Sequence, residues 1–194
     1  MYMKKNNRSH KGKGSVNMID DYVMLDIETT GFSPINDEII EIGALKVVDN
    51  VIVDTFDMLV RPNGWISSFI TSLTGISNTM VGSADAIDIV LPKFLAFAGD
   101  SIIVGHNISF DINFIYDNSM RFLQKPFCND YVNTVMLCNR VFPHIKSKKL
   151  SYLSEYFSID NDNAHRALAD CHATKQLYDI IRDRVYTKGI TLGR

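Results

Sequence analysis

The hexapeptide Asp26-Ile27-Glu28-Thr29-Thr30-Gly31 follows the apolar run Tyr22 to Leu25. On a strand, side chains two apart share a face, so Asp26 and Glu28 project together from the end of a hydrophobic strand. Two carboxylates held that close repel each other unless a cation sits between them or one takes a proton. Taken alone the pair has two readings, a solvated strand edge or half of a metal site. A second cluster, Gly105-His106-Asn107-Ile108-Ser109-Phe110-Asp111, sits where a short strand turns into a helix. Such strand ends are where α/β sheets place functional groups. Asp111 falls in the first helical turn, where an acid also complements the helix dipole. The third cluster is His165-Arg166-Ala167-Leu168-Ala169-Asp170. Five helical residues turn through roughly 140°, so His165 and Asp170 converge only if the histidine lies on the preceding loop or cap. Asn161-Asp162-Asn163 is loop chemistry that permits this arrangement.

Asp26, Glu28, Asp111 and Asp170 together offer four hard oxygen donors, which suit Mg²⁺ or Mn²⁺; zinc would favour His and Cys. Two such ions about 3.5–4 Å apart can clamp a phosphodiester, one activating water and one stabilising the leaving oxygen. A neutral histidine is a suitable base for that water, and His165, whose other reading is a surface or capping residue, is near the set.

The elements that must position these residues are legible in the apolar patterning. Residues 22–28 read as a buried strand, and Glu38 to Val48 and Val51 to Val60 as two more. Asp49-Asn50 between the latter pair is a two-residue hairpin signal, because both residues tolerate positive φ. Helical patterns follow over Ile66 to Leu73 and over Ala84 to Ala98, where Pro92 predicts a kink or a break. Trp65 is expected to pack at the start of the first of these, with stacking on a nucleic-acid base as the alternative. Ser101 to Val104 reads as a brief strand ending at Gly105, and helices are expected over 109–123, 132–141, 150–157 and 166–186. In the last helix Ala167, Leu168, Cys171, Leu177, Ile180 and Ile181 form the buried stripe. A hairpin-rich sheet followed by strand and helices indicates one α/β layered domain.

Composition narrows the class. The 194 residues suit a single domain, and 46% hydrophobic content supplies a real core. The net charge of −2 conceals an asymmetry: residues 1–14 hold Lys4, Lys5, Arg8, Lys11 and Lys13 and no acid, leaving about −7 on the remainder. Residues 1–19 look like a flexible lead, with electrostatic attraction to nucleic acid as the alternative use of their charge. Lys146, Lys148 and Lys149 form a basic loop, either solvated or holding the backbone of a single strand. Cys128, Cys138 and Cys171 are odd in number and lack C-x-x-C spacing, which reads as reduced thiols. No apolar run reaches the length of a membrane span or follows the basic start as a signal peptide would, so a cytoplasmic location and no membrane partner are expected.

D-I-E-T-T-G, G-H-N-I-S-F-D and H-R-A-L-A-D, in this order, resemble the three motifs of the DEDDh (DnaQ-like) 3′→5′ exonucleases. The resemblance covers about residues 21–186, and Leu73-Thr74-Gly75-Ile76 and Leu150-Ser151-x-Leu153 match as well. A histidine five residues before the last Asp is similar to the His subclass. The resemblance implies an α/β, ribonuclease H-like fold with a central mixed β-sheet, its three antiparallel strands first, flanked by helices. It implies an exonuclease domain over 21–187, a basic N-terminal tail over 1–20 and a C-terminal tail over 188–194. It implies release of nucleoside 5′-monophosphates, with Asp26, Glu28, Asp111 and Asp170 binding two divalent cations (Mg²⁺ or Mn²⁺) and His165 as general base. By similarity the backbone at Thr29 meets the terminal 3′-hydroxyl, Ile76 and Phe110 touch terminal bases or sugars, and Asn107 joins them in binding substrate. Asn133-Thr134 departs from the Asp-Thr of many members at the start of a helix, which puts local capping in question. Within the family the chain is most similar to the proofreading exonucleases of bacterial replicative DNA polymerases, whether embedded domain or separate subunit. The expected substrate is single-stranded DNA or a frayed 3′ end, and the expected partner a replicative polymerase. Two alternatives stay open: an RNA-trimming member of oligoribonuclease or RNase T type, and a non-catalytic nucleic-acid-binding module.

Overall fold

A computed structural model describes residues 8–161 and 164–192. Strand β2 (Tyr22–Thr29) pairs antiparallel with β3 (Ile39–Val48), which pairs antiparallel with β4 (Val51–Leu59). The turn between β3 and β4 has φ of 50° at Asp49 and 62° at Asn50. Two consecutive positive φ values match the right-handed twist of the flanking strands and suit Asp and Asn. On its other side β2 pairs parallel with β5 (Ile103–Gly105), β5 with β6 (Tyr131–Asn133), and β6 with β1 (Gly14–Ser15). The mixed sheet therefore runs β1-β6-β5-β2-β3-β4, as the α/β reading requires.

Alternation along β2 divides the molecule into layers. Val23, Leu25 and Ile27 enter one apolar core with residues of helices α3 (Ile87–Ala98) and α4 (Ser109–Leu123). Tyr22 and Met24 enter the other, with residues of α5 (Thr134–Val141), α6 (Leu150–Phe157) and α7 (Ala167–Lys188). By the same parity Asp26 and Glu28 belong to the α7 face. Each large side chain fully removed from water in these layers contributes about 1.5–3 kcal/mol. A third, smaller core joins Ile40, Ile66, Ile70, Ile76 and Val81 beneath the short helices α1 (Ser68–Thr74) and α2 (Asn78–Val81). No described helix is long and apolar enough to cross a membrane.

Four expectations need correction. Helix α3 runs unbroken through Pro92. The carbonyl that its missing N–H leaves unbonded, four residues back at Asp88, belongs to an exposed residue that water can reach. The helix expected over 132–141 is a strand to Asn133 and then α5, because Val132 is buried between β5 and β1 and Asn133 caps the helix. Trp65 is 83% exposed rather than packed; Ile66 fills the core there, and the Ser67 hydroxyl caps α1 by accepting from Ile70 N–H. The expected loose lead is bound to the body over its described part. Arg8 pairs with Asp117 of α4 at 2.6 Å, Lys11 Nζ donates to Asn113 Oδ1 at 3.0 Å, and Val16 is buried. Residues 1–7 of that tail lie outside the described residues. At the other end α7 extends to Lys188 and Leu192 still packs on the core.

Candidate active site

Three elements converge on the carboxyl end of β2. The Asp111 carboxylate, in the first turn of α4, accepts the Ile27 N–H at 3.1 Å. It is thereby fixed to the peptide between Asp26 and Glu28, although α4 itself lies on the opposite face of the sheet. The Gly105-to-Ile108 turn makes this reach possible. A Cβ on Gly105 would stand 2.7 Å from Leu25 O, so β5 approaches β2 this closely only with glycine there. Asn107 is exposed, with φ 58°, and its N–H donates to Asn133 Oδ1 at 3.1 Å. The same Oδ1 accepts Val135 N–H at 3.0 Å, so Asn133 both caps α5 and anchors the turn. Capping thus survives the Asn-for-Asp departure.

His106 ties a further loop to this turn. Its Nε2 lies 2.6 Å from Lys148 O and its Nδ1 2.8 Å from Thr134 Oγ1. A carbonyl only accepts, which assigns the proton to Nε2. Burial lowers the ring's pKa, opposed by the Lys148 carbonyl, so the ring stays neutral and Nδ1 accepts the threonine hydroxyl. The Lys148 ammonium is occupied within its loop by Ile145 O, whereas Lys146 and Lys149 are exposed.

From the α7 side, His165 lies on the loop before the helix, exposed and left-handed at φ 65°, and Asp170 is buried in the first turn. His165 N–H donates to Asp170 Oδ2 at 3.2 Å. Among the described residues, ligand atoms of Glu28, His165 and Asp170 all lie within 4.8 Å of one another. Glu28, His165 and Asp170 can thus share one ion, while Asp26 lies two residues before Glu28 on β2 and Asp111 is hydrogen-bonded to the residue between them.

The electrostatics of this cluster are adverse without a cation. Burial pushes the Asp26 carboxyl well above the usual range, reinforced by the charges of Asp111, Asp170, Glu28 and Glu41. Burial, then Asp170, Glu41 and Asp111, push Glu28 up to about 8 against the attraction of Arg166. Burial raises Asp111 to about 8 despite hydrogen bonds from its own N–H and that of Ile27. Asp170 is raised by burial and held back by a hydrogen bond from Asn161 and by His165. Oxygen donors crowded in this way fit hard divalent cations, which would replace the protons that the carboxylates otherwise retain.

The substrate-side residues divide. Thr29 is buried and its hydroxyl donates to Gly31 O at 2.6 Å, setting the turn beyond β2. Phe110 is half-buried against Phe114, ring centroids 4.9 Å apart. Ile76 has no exposed surface; its side chain belongs to the third core, so the substrate contact expected of it is corrected to support from beneath. One feature escaped the motif reading. Glu41 on β3 stands opposite Glu28 and is gripped by Arg166, with distances of 2.6 Å from Nη2 and 3.0 Å from Nε to Oε1. A single acid inside the apolar run Ile39 to Leu45 was its signal, since a charge is buried there only with a partner.

Comparison with known proteins agrees with this geometry. A family model described as Exonuclease (RNase T) matches residues 23–178. The chain is 41% identical over 179 residues to the PolC-type DNA polymerase III of Caldanaerobacter subterraneus subsp. tengcongensis, covering 92% of this chain but 13% of that protein's length. It is 36% identical over 173 residues to the DNA polymerase III subunit epsilon of Aquifex aeolicus, covering 89% of this chain and 86% of that one. Among solved structures, exonuclease X in complex with 5′-overhanging duplex DNA has a TM-score of 0.67 at 28% identity, covering 88% of this chain and 95% of that chain. E. coli exonuclease I in complex with a dT13 oligonucleotide gives 0.77 at 18% identity, covering 88% and 43%, a likeness of fold. With its three motifs converging on one site, the chain belongs to the DEDDh (DnaQ-like) exonuclease family of hydrolytic nucleases.

Proposed function

We propose that this chain removes nucleoside 5′-monophosphates from the 3′ end of DNA, in proofreading or repair linked to replication. The observation that carries the reading is the convergence of Asp26, Glu28, Asp111 and Asp170 with His165 at the end of β2. Two divalent cations held by the four carboxylates would supply Lewis acidity at the scissile phosphate and charge for the leaving 3′-oxygen. His165 takes the proton of the attacking water, its exposed ring reached from solvent. The new P–O bond leaves the phosphate on the departing nucleotide, and the P–O3′ bond breaks to give the shortened strand a 3′-hydroxyl. The Thr29-to-Gly31 turn presents backbone to the terminal sugar, and Asn107 and Phe110 border the same end of the sheet.

DNA as substrate and a replicative polymerase as partner are supported by the relatives named DNA polymerase III, of PolC type and subunit epsilon. Cytoplasmic action fits three free cysteines. The test is nucleotide release from matched DNA and RNA oligonucleotides and from a primer with a mismatched 3′ end, with Mg²⁺ or Mn²⁺. DNA is expected to be shortened faster than RNA, and the mismatched primer about 10-fold faster than the paired one, because fraying an unpaired end costs less. RNA trimmed as fast as DNA would favour the exoribonuclease reading. Tight binding of all three without release would favour the binding module.

A further inference from the structure

The Arg166–Glu41 pair lies beside the carboxylate cluster and has no part in the hydrolysis as described. Glu41 is 1% exposed at its side chain and sits on β3, directly across from Glu28. A fifth unpaired carboxylate in that position would add repulsion to an already crowded site. Arg166 meets it with a fork: Nη2 to Oε1 at 2.6 Å, Nε to Oε1 at 3.0 Å and Nε to Oε2 at 3.2 Å. Glu41 Oε2 also accepts the Ala167 N–H at 2.8 Å. That N–H is the first of α7, and Arg166 at the cap position supplies no side-chain bond of its own. A carboxylate from another strand therefore caps this helix.

Two residues further along β3 the contact repeats. A Cβ on Gly43 would lie 2.4 Å from Leu168 N and 2.5 Å from Ala167 C, and Cys171 Sγ donates to Gly43 O at 3.3 Å. The first turn of α7 thus rests on bare β3 backbone, with Glu41 fixing its start. His165 is the residue directly before Arg166, in a left-handed conformation that a side chain with a Cβ adopts only where its surroundings impose it. Among the described residues, α7 restrains its backbone through the bond to Asp170 Oδ2. Arg166, the next residue along the chain, is itself tied to Glu41 on β3.

We infer that Glu41 and Arg166 are positioning residues: their fork clamps the backbone on which His165 stands and so sets its ring at the site of water attack. The inference rests on the hydrolysis proposed above and goes beyond it by naming what holds the base. Arg166→Lys keeps the charge and loses the fork; Glu41→Gln keeps the shape and loses the charge. Each is made in the wild-type and the His165→Ala backgrounds, and kcat and KM for a single-stranded DNA oligonucleotide are measured below each protein's melting temperature. If the pair acts through His165, kcat falls about 10–100-fold in the wild-type background with KM within about 3-fold, and changes less than about 2-fold once His165 is gone, since residues acting as a unit are not additive. An unchanged kcat in the wild-type background, or the same loss in both backgrounds, overturns the role. Arg166→Lys decides the matter if Glu41→Gln melts below the assay temperature. A wild-type protein that releases no nucleotide, or a His165→Ala variant as fast as wild type, defeats the underlying hydrolysis instead, and the inference with it.

Discussion

His165→Ala is expected to lower kcat for release of the 3′-terminal nucleotide by about 10²–10⁴-fold, the contribution of a positioned general base. KM for the oligonucleotide should stay within about 3-fold, because in the proposed mechanism the imidazole acts on water and does not hold the strand. The fold should tolerate the change. His165 is exposed and precedes α7, so its removal opens no cavity, and alanine meets the same left-handed strain that histidine meets at φ 65°. The carboxylate donors remain, so Mn²⁺ binding measured by calorimetry should persist in the variant. A variant retaining more than a tenth of wild-type kcat would remove His165 from the reaction.

Asp26→Asn is expected to separate stability from activity. A carboxyl whose pKa is raised by folding adds stability below its unfolded pKa and loses that contribution as pH rises through the folded value. For Glu28 this window runs from 4.5 to about 8, and Asp26 and Asp111 shift in the same direction. Cation-free protein should therefore melt at progressively lower temperature between about pH 5 and pH 8. Cations restore what the deprotonated cluster loses: at about 100 times its Kd a bound ion adds about 2.7 kcal/mol, or about 5–10 °C for a chain of this size. Asn at position 26 removes one of the mutually repelling charges. Its cation-free melting temperature at pH 8 should exceed that of wild type, its gain with Mg²⁺ should shrink, and its activity should fall by about 10³-fold, several kcal/mol of lost charge stabilisation. Melting curves with and without EDTA across this pH range check the prediction. A wild-type melting temperature that rises toward pH 8 without cations would contradict the electrostatic picture.

How far the site could be read in advance followed from how local its determinants are. Parity along Tyr22 to Glu28 placed Asp26 and Glu28 on one face, and helix geometry required His165 to sit outside α7, where it lies. Asp49-Asn50 marked its turn because the conformational demand falls on those two residues alone. Strands of two and three residues, β1 and β6, have too few positions to show a period, and each exists only through its neighbour's backbone. The exposure of Trp65 depends on which of two adjacent apolar residues, Trp65 or Ile66, reaches the third core, and the burial of Ile76 on that core forming beneath α1 and α2; both are set by the path of the chain. Glu41 and Arg166 are 125 residues apart in sequence, and their pairing follows from where β3 and α7 cross. Each of the three motifs fixed residue types locally; their convergence needed the sheet.

The central claim is that this cluster is a cation-dependent hydrolase acting at 3′ ends. Its most direct test is a time course on 5′-labelled single-stranded DNA with Mg²⁺, with and without excess EDTA. The expected result is a series of products shortened one nucleotide at a time from the 3′ end, accompanied by nucleoside 5′-monophosphates and stopped by EDTA. Labelled DNA that stays full length with Mg²⁺ or Mn²⁺, or that is shortened equally well in EDTA, would contradict it.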